Sequence, residues 1–298
     1  MTTKNVKLDQ DKFWRDGFVV LRGLFSRSEF RTLRERVMES LHARERDGTP
    51  VVDCLAETVL APYVYDERLL TVARRLLGSS DIAYFGDSNY AVVGHNYEPG
   101  RDVGGWHRDN TDRSDTTLPD WDGRYSLIRF GLYLQDHGGT SGGLIVRRTS
   151  HDRILRGWRA HLADRYLNTR EGDVGVWSMR IQHAGLGRCL RGMPWFPLGP
   201  HWQKTLPEAL QAPFGAEERA GFWVSYGLND HHLQRHCDYL VRRTERLEMW
   251  RDAYYSAETR AACVRAGLTI IDMPARIRAM LEAGETVGDQ RRHYQLAV

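Results

Sequence analysis

Tyr125-Ser-Leu-Ile-Arg-Phe-Gly-Leu-Tyr-Leu134 is the stretch whose pattern decides the fold. Ile128, Phe130, Leu132 and Leu134 alternate with Arg129 and Tyr133, and a period of two puts successive side chains on opposite faces of a strand. The apolar face belongs in a core. The face carrying Arg129 and Tyr133 either lines a cavity, where both could meet a substrate, or faces water. Similar short runs occur at 82–85, 90–97, 143–147, 174–177 and 221–226, with Gly, Asp, Asn and Pro between them. Many short strands at this spacing indicate a β-sandwich or barrel and not alternating βαβ units. No GxGxxG or GxxxxGK phosphate loop is present.

The flanks are helical. Asp9 to Asp16 predicts a short helix, followed by a buried strand over 17–23. Ser26 and Glu29 have the spacing of a capping box ahead of Phe30, Leu33, Val37 and Leu41 on one helical face. A further helix runs from Glu67 to Leu77 and stops at Gly78. Beyond His232, Leu240, Leu247, Trp250 and Tyr254 fall at helical spacings and read as a packing face. The expected organisation is one domain over 1–298: support at 1–80, a β core at 81–230, and a helical extension at 231–298. Residues 186–218 hold five of the ten prolines, with Trp195, Phe196, Trp202 and Phe214, and read as an ordered insertion or lid.

Composition narrows the function. The 298 residues are 41% hydrophobic and 27% charged, and 42 basic against 39 acidic residues leave a net charge of +3, too balanced for a general nucleic-acid or membrane binder. No apolar run approaches the ~20 residues of a membrane span. The polar opening has no signal-peptide pattern, and Cys54, Cys189, Cys237 and Cys263 are scattered without a CxxC pair, so a reducing cytoplasm is the expected location.

The chemistry-bearing residues are histidines and carboxylates. In Trp106-His107-Arg108-Asp109 the imidazole and carboxylate stand at i and i+2, on one face of an extended chain. His236-Cys237-Asp238 repeats the pattern, but in a helix i and i+2 diverge by about 200°, so this second pair reads as surface. A third donor is offered by His183 in Glu171-Gly-Asp-Val-Gly-Val-Trp-Ser-Met-Arg-Ile-Gln-His-Ala-Gly185, where a turn and return strand would bring it beside the first pair. Two histidines and a carboxylate form the facial triad of non-haem Fe(II) oxygenases. Asp173 reads as a turn cap ahead of its strand.

The sequence resembles the phytanoyl-CoA dioxygenase-like family of Fe(II)/2-oxoglutarate-dependent oxygenases, relatives of ectoine hydroxylase. Five features carry the resemblance in order: Phe13-Trp-Arg-Asp-Gly-Phe-Val-Val-Leu-Arg-Gly-Leu-Phe25, Tyr97-Glu-Pro-Gly100 ahead of His107-Arg-Asp109, Ser141-Gly-Gly-Leu-Ile-Val-Arg-Arg-Thr-Ser-His151, Gly172-Asp173 through His183-Ala-Gly185, and Arg219-Ala-Gly-Phe-Trp-Val-Ser-Tyr226. The resemblance implies a mainly β fold with flanking helices, a double-stranded β-helix of jelly-roll, cupin-like form. It implies Fe(II) on His107, Asp109 and His183, 2-oxoglutarate held by Arg219 and Asn96, and O2 as oxidant. The implied reaction is hydroxylation of an unactivated C–H with succinate and CO2 as coproducts; Asp109 speaks against the halogenase variant, which carries a small residue there.

Two departures stand out. Arg147-Arg148-Thr149 replaces the family's proline-glycine before Ser150-His151, and 36 residues separate His183 from Arg219. Arg188 and Arg191 are therefore alternatives for the cosubstrate arginine, and Arg219 could instead be a surface charge. Asn96 either contacts 2-oxoglutarate or caps a turn. Two rival functions are a catalytically inert jelly-roll binding protein and a serine hydrolase using Ser141, since Gly139-Thr-Ser-Gly-Gly143 fits GxSxG; a cupin-type metal isomerase would need no arginine clamp. Arg147, Arg148, Arg188 and Arg191 around the insertion hint at a small polar or anionic substrate, such as a sugar or natural product.

Overall fold

The computed structural model describes residues 8–48, 53–92, 105–185, 187–215 and 218–290. The chain enters through α1 (Gln10–Asp16), capped by Asp9 and closed by Gly17 in the left-handed region. The strand β1 (Phe18–Leu21) is mostly half-buried, not fully buried, because it forms a sheet edge. In α2 (Arg27–Asp47) both hydrogen bonds of the Ser26/Glu29 capping box are present. After α3 (Ala61–Val64), α4 (Glu67–Leu77) is capped by Asp66 and ends at Gly78.

The core follows as β2 (Ile82–Val92), β3 (Leu127–Tyr133), β4 (Ile145–Arg147), α5 (Gly157–Ala163), β5 (Asp164–Tyr166), β6 (Val174–Ser178) and β7 (His183–Ala184). The expected strand at 82–85 and the start of that at 90–97 merge in β2; residues 93–97 fall outside the described residues. Gly86 sits inside it at φ +72°, and a Cβ there would come within 2.8 Å of the Trp250 ring, so glycine admits both the bend and the close packing. The insertion folds into a hairpin, β8 (Arg188–Leu190) with β9 (Met193–Leu198), and the short helix α6 (Pro200–Thr205). It presents Trp195, Phe196 and Trp202 to solvent. The closing strand is β10 (Ala220–Gly227).

The C-terminal part holds α7 (His231–Val241), α8 (Thr244–Trp250), α9 (Ala257–Arg265), β11 (Leu268–Ile270) and α10 (Met273–Glu282). Two points differ from the sequence reading. β11 breaks the helical run and pairs parallel with β2. Tyr254 lies beyond the end of α8 and is exposed, so it leaves the stripe of Leu240, Leu247 and Trp250.

A six-stranded sheet, in order β1-β6-β3-β10-β2-β11, faces a three-stranded sheet, β5-β4-β7. Ile128, Phe130 and Leu132, with Val174, Val176, Phe222 and Val224, form one face of the large sheet and pack with Phe30, Leu33, Val37, Leu69 and Leu76 of the N-terminal helices. Full burial of such side chains contributes roughly 1.5–3 kcal/mol each. The other face looks inward, where Tyr133, Trp177, Leu144, Val146 and Ile181 fill the space between the sheets. The core is a double-stranded β-helix. No helix among the described residues is long and apolar enough to cross a membrane, and the four cysteines are buried and free.

A candidate metal centre between the sheets

His107 and His183 face each other across an isolated antiparallel bridge, each backbone N–H donating to the other's carbonyl at 2.9 Å. Directly opposed residues of such a pair project to the same side. Their imidazoles accordingly lie 4.2 Å apart between centroids. Asp109 N–H donates to Met179 O at 2.9 Å, holding the extended path for two more residues. The carboxylate thus returns to the histidine side, with Oδ1 3.8 Å from His107 Nε2 and Oδ2 3.5 Å from His183 Nε2. One ligand atom from each of the three lies within 4.8 Å of the others. Arg108, between them in sequence, points the opposite way and is buried, donating to the carbonyls of Ser150 and Arg180.

The donor chemistry suits a ferrous ion. His107 Nδ1 lies 3.0 Å from Gly105 O, and His183 Nδ1 lies 3.1 Å from Ile181 O. A carbonyl only accepts, so each Nδ1 carries the proton and each Nε2 presents a lone pair toward Asp109. Imidazole and carboxylate without thiolate match non-haem iron.

Arg129 resolves the ambiguity of its strand: it turns inward. Its Nη1 donates to Asp109 Oδ2 at 2.8 Å, Nη2 donates to Asp87 Oδ2, and Nε donates to Ser225 Oγ at 3.0 Å. Ser225 in turn donates to Asp87 Oδ2 at 2.8 Å, and Arg246 Nη2 donates to Asp87 Oδ1 at 2.6 Å. Burial by itself would raise both carboxyls. Arg129 and Arg246 outweigh it at Asp87, and Arg129 with the two imidazoles outweighs it at Asp109, so both are held well below the usual carboxylate range. Asp87, Ser225 and Arg246 carried no signal in the sequence reading. A carboxylate in the middle of the apolar run of β2 was the one mark that could have drawn attention.

Tyr133 also faces inward, packed edge-on against His137 and Trp223. Arg219 is buried just ahead of β10, its guanidinium 4.3 Å from the Phe214 ring centroid. A Cβ on Gly142, whose φ is +112°, would stand 2.5 Å from Arg219 Nη1, so only glycine leaves the guanidinium its place. Arg219 is therefore not a surface charge. Arg188 is half-buried, donating to Gln211 Oε1 at 3.1 Å and also lying over Phe214, while Arg191 is exposed. Asn96 and the 97–100 turn fall outside the described residues.

Other expectations need correction. Arg147 is buried between Asp164, Gln182 and the Trp106 ring, so its charge is used within the fold and does not advertise an anionic substrate. His236 is not at the surface: it is 2% exposed, edge-on to Phe85, while Asp238 alone is exposed and pairs with Arg276. Ser141 is buried, donates to Ala212 O at 2.6 Å and accepts from Cys189 N–H, and the chain continues toward strand β4 and no helix. That is no nucleophile elbow. Asp173 does cap its turn, accepting from Arg170 N–H and Gly23 N–H at 2.9 Å each.

No family model matches the sequence, and no curated protein matches it. Solved structures do match in shape. HygX from Streptomyces hygroscopicus, solved with nickel and 2-oxoglutarate bound, aligns with a TM-score of 0.51 at 16% identity, covering 74% of this chain and 88% of HygX. EctD from S. alaskensis aligns with a TM-score of 0.50 at 19% identity, covering 76% of this chain and 80% of EctD. This chain has their fold. EctD has also been solved with bound iron, and that structure aligns with a TM-score of 0.50 at 18% identity, covering 76% of this chain and 79% of EctD.

Proposed function

We propose that this protein is an Fe(II)- and 2-oxoglutarate-dependent oxygenase that hydroxylates an unactivated C–H of a small polar molecule, releasing succinate and CO2. The observation that carries the reading is the convergence of His107, Asp109 and His183, inside a fold shared with proteins solved with iron, or with nickel and 2-oxoglutarate. These three residues would hold the ion on one face and leave the opposite positions for cosubstrate and oxygen. Bound iron with 2-oxoglutarate supplies the oxidising power for C–H cleavage, which no side chain can provide.

The chain's own residues set the geometry. The Nδ1 hydrogen bonds to Gly105 and Ile181 keep each Nε2 unprotonated and aimed. Arg219 offers a fixed fork for the far carboxylate of 2-oxoglutarate. It precedes Gly221, which pairs with Tyr133, and Tyr133 stands four residues, or about 13 Å of strand, from Arg129 beside the ion site. An extended arginine and a dicarboxylate together suit that span. Trp177, Tyr133 and Trp223 wall the space and exclude water. The insertion with its exposed Trp195, Phe196 and Trp202 is the surface we assign to substrate entry.

The test is anaerobic loading with Fe(II) followed by air and 2-oxoglutarate, with succinate measured over a panel of metabolites. Succinate that needs iron, rises with one substrate and disappears in His107→Ala is the expected result. Full succinate production by His107→Ala would show that the turnover does not depend on this triad, and none by the wild type with any metabolite while the metal binds would leave an inert jelly roll as the better reading.

A further inference from the structure

We infer that Asp87 and Arg246 are positioning residues of the metal centre, so that the C-terminal helical segment completes a site whose ligands all lie in the β core. The inference rests on the iron-binding reading above and extends it to residues that touch no ligand. Charges alternate along one continuous chain: Arg246, Asp87, Arg129, Asp109, then the ion. Each link is a short charge-assisted hydrogen bond, and Ser225 adds a side tie to both Arg129 and Asp87. Each of the three nitrogens of the Arg129 fork thereby donates to a different side chain, which fixes the orientation of its guanidinium.

The alternation matters because Arg129 has two opposed effects. Its fork fixes the rotation of the Asp109 carboxylate, which favours a preformed ligand set. Its positive charge, 2.8 Å from the same carboxylate, competes with a cation for that carboxylate's electrons. Asp87, buried and donating nothing, offsets that charge while anchoring the fork. Arg246 keeps Asp87 ionised and turned toward Arg129 by taking its other oxygen. Arg246 is 159 residues from Asp87 in the chain and comes from α8, where it stacks near Trp250 and reaches Met249 Sδ. Local structure in the β core would not require an arginine from this helix; the ion site gives it a purpose.

The experiment is titration of the apo protein with cobalt(II), read by visible absorption, together with apo melting temperatures. Asp87→Asn should weaken cobalt affinity by about 10–100-fold, the range seen for partners of metal ligands. Arg246→Met and Ser225→Ala should weaken it in the same direction, and the effects of Asp87→Asn and Arg246→Met should be less than additive because they act on one chain of contacts. Asp53→Asn is the control: it removes a buried carboxylate bonded to Tyr84, Tyr255 and Ser88, on the face of β2 opposite Asp87, and should lower the melting temperature without moving cobalt affinity. Should Asp87→Asn fail to fold, Arg246→Met and Ser225→Ala carry the test. Unchanged cobalt affinity in those folded variants overturns the inference and leaves the iron reading intact. Failure of the wild type itself to bind cobalt, iron or manganese removes that reading and this inference with it.

Discussion

Arg129 Nη1 donates to Asp109 Oδ2 at 2.8 Å, joining the central strand of the large sheet to the carboxylate of the metal triad. An arginine on β3 at this point reaches the triad because Arg129 shares its strand face with Tyr133, opposite the apolar face of Ile128, Phe130 and Leu132. The contact makes the large sheet, and not only the loop carrying His107 and Asp109, responsible for the ligand's orientation.

Asp109→Ala is expected to abolish 2-oxoglutarate turnover and to weaken metal retention at least tenfold. Asp238→Ala, in the second His-x-Asp, should change neither, since Asp238 is exposed and paired with Arg276. Metal stoichiometry after gel filtration and succinate release decide it; equal losses in both variants would refute the choice of pair.

The clamp can be tested from both sides. Arg219→Ala should raise the apparent KM for 2-oxoglutarate about 10–100-fold, the worth of a buried charged hydrogen bond. Gly142→Ala should do the same without touching the arginine, because its Cβ would enter the space of the guanidinium. Steady-state kinetics at saturating substrate are the measurement. An unmoved KM in Arg219→Ala, with a large rise in Arg188→Ala, transfers the role to Arg188.

Two buried histidines predict a pH window for stability. Burial, reinforced by Arg219, lowers His137 to about 4, and burial likewise lowers His236 to about 4. Their unfolded value is about 6.5, so between these values the unfolded chain binds more protons than the folded one. Stability is full above the upper value and falls as pH drops toward 4, by at most about 3 kcal/mol per histidine. Asp87, whose pKa is lowered in the fold, loses its contribution only as pH falls below about 4, so the two effects separate. His236→Phe should flatten the window, since the ring nitrogens of His236 have no hydrogen-bond partner among the described residues. Melting curves at pH 7.5 and 5 should show a smaller drop for the variant than for the wild type; equal drops would exclude His236 as a source.

Thr149 adopts φ 66°, a left-handed conformation that is strained for a β-branched residue. It occupies the turn where the resembling family carries glycine. Thr149→Gly is expected to stabilise by about 1 kcal/mol, or roughly 2–4 °C in melting temperature. A lower melting temperature would mean that the threonine side chain contributes more than the strain costs.

Sequence by itself determined what depends on neighbours along the chain. The alternation at 127–133 marks a strand with one core face, the Ser26/Glu29 spacing marks a helix start, and the i, i+2 spacing of His107 and Asp109 puts both groups on one side of an extended chain. Such signals are local because backbone geometry repeats every two or 3.6 residues. Only the tertiary structure decided which way the mixed face of β3 looks, that His236 is buried, that Arg147 is taken by Asp164, and that the insertion forms a hairpin. The line from Arg246 through Asp87 and Arg129 to Asp109 was equally out of reach. It joins residues as far as 159 positions apart, and no periodicity links them. Their partnership arises from the packing of α8 against the sheet, where a buried charge is tolerated only beside its opposite.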